Sequence, residues 1–184
     1  MPTNSATMFD RHVAYELHEF AESYWRMRAG NTNQADLNMN HDVFCTHGRN
    51  LVEFFSKRPD GHHVVAADFA TAAYVPWNIQ HGSTAHDARG RLNNEVSHLT
   101  WNRPENQTDQ MDQAYRDKVW NLISDEVRRW LPHIRSEFDK SKLPLARYDQ
   151  QPPGPLTLEL PQTNQTALQA TNIFTSVSSK SPQS

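Results

Sequence analysis

Arg91 and His98 stand seven positions apart in RLNNEVSHLTW (Arg91–Trp101). In a helix seven residues make close to two turns, so the two side chains leave from nearly the same face. Metal-independent cleavage of RNA asks for such a pair. A base must take the proton of the 2′-hydroxyl, and a cation must hold the scissile phosphate as charge builds on it. Imidazole suits the first task because its unperturbed pKa lies near about 6.5. Guanidinium suits the second because its planar fork binds phosphate through two parallel hydrogen bonds. Asn94, one turn before His98, is placed to fix the imidazole or touch the phosphate, and Arg89 and Arg103 would extend the cationic patch toward RNA. A plainer reading fits the same residues. Arg91 and Glu95 form an i,i+4 pair suited to a solvated helix face, and His98, next to Leu99 and close to Trp101, suits the edge of a core.

A second candidate is HGRNLVEFF (His47–Phe55). His47 falls between Phe44 and Leu51 on an apolar face, so partial burial is expected. Either His47 or Asn50 orients the Asn94–His98 turn, or the pair fixes helix register through an interhelical hydrogen bond. The ten histidines prompt a search for metal-ligand spacing. None gives the i,i+4 pair of a helical HExxH site, and a site assembled from several segments would need Asp42, Asp68 or Asp87. Cys45 is the only cysteine, which excludes an intrachain disulfide and a cysteine-rich metal site. Its position suits a small core residue. Trp25, Trp77, Trp101, Trp120 and Trp130 suit core and helix junctions better than base stacking. No glycine-rich phosphate loop is present. No metal and no cofactor are expected.

Net charge is −3, and only 36% of residues are apolar. A global basic field is therefore absent, and any nucleic-acid contact needs a local patch of Lys and Arg. The first residues lack the apolar core of a signal peptide, and no stretch approaches the roughly 18 apolar residues of a membrane span. The chain reads as cytoplasmic, with no membrane association.

The elements that must position these groups are helices. Phe9, Val13, Leu17, Phe20, Tyr24 and Met27 recur at helical spacing, with Gly30 as a stop. A second helix is expected over about Asp36–Ser56. Gly48 lies on its packed face, where it would admit a neighbouring helix, and KRPDG (Lys57–Gly61) ends it. His62–Gly82 reads as a structured crossover, with Asp68 capping a single turn and Pro76 preventing a long helix. Thr84 and Asp87 resemble a capping box for the helix that carries Arg91, although Gly90 leaves its start open between Thr84 and Arg91. Val119, Leu122, Ile123, Val127, Trp130, Ile134 and Phe138 define a last helix that Pro132 should kink or split, with an Asp125–Arg129 pair on its surface. The Pro-, Gln-, Thr- and Ser-rich remainder lacks a sustained period and cannot bury enough apolar surface to order itself.

Two resemblances bear on these residues. Arg-(x)6-His, late in an all-helical domain, looks like the motif of the HEPN superfamily. In this sequence Leu92 follows the arginine, and the asparagines come at 93 and 94. HGRNLVEFF, the ADF at Asp68, Trp77 and NNEVSHLTWNR also resemble, in order, a group of uncharacterised HEPN-like bacterial helical proteins, over roughly residues 9 to 140. The resemblance implies a metal-independent RNase of a toxin–antitoxin, abortive-infection or CRISPR-linked defence system, acting as a homodimer that brings two Arg–His pairs together.

The resulting expectation is an all-α, HEPN-like bundle of four to five helices over residues 1–143, followed by a disordered tail over residues 144–184. Its function is expected to be that of a metal-independent endoribonuclease or a degenerate RNA-binding domain. The alternative is a non-catalytic helical module for protein interaction, so whether the chain is an enzyme stays open. The expected partners are RNA, an antitoxin or other protein, and a second copy of the chain.

Overall fold

The structure, a computed structural model, describes residues 5–30, 33–96 and 111–150. The described residues form an all-α fold. One helical turn (Ser5–Thr7) leads through a π-type segment (Met8–Val13) into α1 (Ala14–Arg28). All six residues of the expected stripe are buried. Gly30 ends this helix with φ +70°, a backbone angle that glycine adopts without a Cβ penalty. Helix α2 (Gln34–Ser56) starts two residues earlier than its apolar pattern because Asn33 caps it, its side chain accepting from Asp36 N at 2.9 Å.

The crossover is structured. Asp68 accepts from Val65 N at 2.9 Å and closes a 3-10 turn (Ala66–Phe69), much as its sequence position suggests. Helix α3 (Thr84–Val96) runs through Gly90 without a break. Its cap is Ser83, whose hydroxyl accepts from His86 N at 3.2 Å, rather than the expected Thr84. Asp87 is turned to another use, described below.

Helix α4 (Gln113–Trp130) is capped by Asp112, which accepts from Tyr115 N at 2.8 Å. Pro132 splits the long apolar pattern. A 3-10 turn (Leu131–His133) follows α4, and the chain then lies back along the crossover, with Ile134 bridged to Ala70 and Thr71 N donating to His133 O at 2.8 Å. The expected Asp125–Arg129 pair is replaced by two i,i+3 pairs, Arg128–Asp125 and Arg129–Glu126.

Aromatic rings fill the core in two groups. Phe9, Phe54, Phe69, Trp130 and Phe138 form one. Phe20, Tyr24, Phe44, Trp120 and Tyr148 form the other, with Tyr24 stacked on Trp120 at 4.5 Å. Between them, α1, α2 and α3 converge at Gly48. A Cβ there would stand 3.1 Å from Phe20 Cε2 and 3.4 Å from Leu92 Cδ2. The absence of a side chain at this position is what lets the three helices meet.

The boundary expected after residue 143 falls short. Leu143 is buried, and the short helix α5 (Leu145–Tyr148) packs onto the bundle. Tyr148 is buried and donates its hydroxyl to Leu17 O at 2.8 Å. Packing thus continues past the Pro144 that looks like a terminator in the sequence. The disorder expected of the remaining tail falls on residues 151–184, outside the described residues.

Candidate functional site

Helix α3 turns Ala85, Ala88 and Leu92 into the core. Leu92 fills the notch opened by Gly48, so the apolar residue directly after Arg91 is a packing requirement of this fold. That registration leaves Arg91 half-buried and Asn94 exposed. The Arg91 guanidinium lies 4.5 Å from the centre of the Tyr115 ring on α4, a cation–π seat. Tyr115 is itself fixed, because its hydroxyl donates to Asp87 Oδ2 at 2.6 Å. Burial, then the bond to Asp87, hold that hydroxyl protonated well above the ordinary tyrosine range. Lys118 Nζ completes the group, 5.4 Å from the Tyr115 ring and 3.9 Å from Asp87.

Glu95, four residues after Arg91, accepts from Met111 N at 3.2 Å and stands 3.4 Å from His41 Nε2. It ties α3 to α2 and to the start of α4. His98, the expected acid/base, and Arg103 lie outside the described residues.

His47 and Asn50 come together on α2, and their described partner is on α1. His47 Nδ1 stands 2.7 Å from Glu16 Oε2, and Asn50 Nδ2 donates to the same oxygen at 3.1 Å. The Tyr15 ring meets His47 edge-on at 5.4 Å. Glu16 is the residue that sequence reasoning missed. It precedes Leu17 of the apolar stripe, and that edge position is the signal that could have found it. Beside this cluster lies a groove of about 210 Å³ with walls of Met8, Val13, Leu51 and Phe54.

Cys45 is buried, as a core residue should be, and its Sγ lies 3.6 Å from His41 Nε2. Burial, followed by the charges of Glu95 and Asp42, pushes its thiol pKa up, opposite to what a nucleophile needs. Among the described residues, no group of three or more His, Cys, Asp or Glu is placed to hold a metal ion. No helix among them is long and apolar enough to cross a membrane. Arg89 is exposed and lines a separate cleft with Lys57, Arg58 and Trp77. Neither a protein-family model, nor a curated protein, nor a solved structure matches this chain.

Proposed function

We propose that this chain is an RNA-directed helical domain of the HEPN-like kind, acting as a metal-independent endoribonuclease in a toxin–antitoxin or defence setting. One observation supports this reading above the others. The Arg91 guanidinium is held on the ring of Tyr115, which Asp87 fixes in turn, and Asn94 is exposed on the next turn of the same helix. A cation preorganised in this way meets developing phosphate charge without first having to be ordered. In this reading Arg91 clamps the scissile phosphate, Asn94 supports it and His98 moves the proton. His47 and Asn50 act at a distance, holding α1 and α2 in register through Glu16. A homodimer would set two Arg–His pairs side by side, and an antitoxin would cover them.

The test is cleavage of single-stranded RNA by the full chain in the presence of a chelator. Arg91→Ala and His98→Ala should each abolish cleavage while the helical circular-dichroism spectrum is kept. Arg91→Lys should recover only part of it, because an ammonium keeps the charge and loses the fork. Cleavage that survives either alanine substitution ends the assignment.

A second reading, a non-catalytic module for protein interaction, is favoured by the groove beside Glu16. Its apolar walls carry a polar rim of His12, Glu16 and Asn50, and Val64 beside it is 41% exposed. A stoichiometric protein partner retained by both alanine variants, with no RNA cleavage by the parent chain, would establish it.

A further inference from the structure

We propose that the cleft between the C-terminal end of α2, the loop 74–79 and Arg89 of α3 is a nucleotide-binding site. Its arginines would take the phosphate and Trp77 would face the base. The inference rests on the RNA reading for its ligand class, but not on cleavage.

The cleft encloses about 370 Å³, within the range of small-ligand pockets. Lys57, Arg58 and Arg89 line it, and no Asp or Glu does. In a chain of net charge −3, three cations around one concavity make the kind of local patch that phosphate binding requires. Their pairing differs. Lys57 Nζ is 3.0 Å from Glu53, whereas Arg58 and Arg89 are exposed and have no ion-pair or hydrogen-bond partner among the described residues. Two forked donors are thus left available at the mouth. Val75, Pro76, Trp77 and Ile79 supply the apolar wall, and Asn78 and Ser56 supply hydrogen-bonding groups within reach of a base edge. Phosphate donors, an indole and a few polar groups around one cavity suit a nucleotide better than a bare anion.

The wall is also held in place. Trp77 N donates to Phe55 O at 2.8 Å, which ties the loop to the end of α2. Arg129 reaches from α4 to donate to Val75 O at 2.9 Å, and Tyr74 donates to Glu126 Oε1 at 2.8 Å. Glu126 is itself buried and is gripped by Arg129. A buried carboxylate therefore serves to pin a loop whose tip, Val75, is 66% exposed. Such anchoring preorganises a binding surface and lowers the ordering cost of a ligand. Arg89 and Arg91 lie two residues apart, about 200° around α3, so this site and the Tyr115 seat open on different sides of one helix.

The ligand could be a free nucleotide or one unit of an RNA strand, and one titration separates them. The full chain is titrated by anisotropy with a labelled single-stranded 2′-O-methyl oligouridine, which cannot be cleaved, at low salt. Adenosine monophosphate and inorganic pyrophosphate serve as competitors. Binding is expected, and Arg58→Ala/Arg89→Ala should weaken it by about tenfold or more and flatten its log–log salt dependence by about one to one and a half for two lost contacts. Displacement by the mononucleotide assigns the site to free nucleotides as well. Failure of the mononucleotide to displace a strand that needs both arginines assigns it to RNA. The proposal is overturned if the double variant binds as tightly as the parent, if neither ligand binds, or if pyrophosphate displaces the strand at least as effectively as the mononucleotide does. Loss of cleavage in Arg91→Ala is read separately, so either claim can fail while the other stands.

Discussion

The Glu16–His47–Asn50 cluster and the Arg58–Arg89–Trp77 cleft are built from similar material, polar side chains where helices meet, and they use it in opposite ways. In the first, two donors converge on one carboxylate oxygen, and the polar groups answer one another across α1 and α2. In the second, two arginines face a cavity with no protein partner described, beside a loop that the rest of the molecule holds still. A polar group satisfied internally contributes to register and stability. A cation left open beside a fixed concavity contributes little to the fold and is available for a ligand. Residue type alone does not separate these cases. The partner does.

Three variants would break or sharpen this contrast. The largest effect is expected for Glu126→Ala, which removes the acceptor of Tyr74 and Arg129. It should destabilise the fold by about 2–3 kcal/mol, below the figure for a fully buried pair because the Arg129 guanidinium reaches solvent. Oligouridine binding should weaken as well, since the cleft wall is freed. Chemical denaturation alongside the anisotropy titration reads both, and unchanged binding would show that anchoring of the loop is irrelevant to the cleft. Next is Glu16→Ala, expected to cost about 1–2 kcal/mol through the two lost hydrogen bonds and to leave oligouridine binding unaltered. A loss of binding at normal stability would reverse the roles of the two regions. The smallest stability effect belongs to Arg58→Ala/Arg89→Ala, within about 0.5 kcal/mol of the parent by the same denaturation curve. A larger loss would mean that these arginines do structural work.

The helices were legible because their apolar residues recur at helical spacing and because Gly30 and Pro132 mark two of their ends, whereas the Asn33 cap of α2 was not read. Gly48 was legible for the same reason, as a gap in an otherwise bulky face. Partnerships between segments were not. The choice of Glu16 by His47 and Asn50 depends on which face of α1 meets α2, and spacing within one helix carries no such information. Ser83 displaced Thr84 as a cap because both residues can cap, and the difference is one residue of backbone geometry. The cleft escaped notice because its parts are spread from Ser56 to Arg89, and KRPDG looks like a helix terminator. It is one, and it also places two cations at the mouth. Residues 144–150 read as tail because Pro144 and a short apolar run give no period. They are held by Leu145 against the core, by the buried Tyr148 and by the Arg147–Glu22 pair, contacts between segments that no period announces.

Tyr148 also bears on the order in which the molecule is completed. Its hydroxyl meets the carbonyl of Leu17 across 131 positions of chain, and its ring closes the stack on Trp120. During synthesis the opening helix leaves the ribosome long before the residue that seals it. Until that tyrosine arrives, the Leu17 edge of α1 stays wet, so this side of the bundle waits on a residue made far later before it can close.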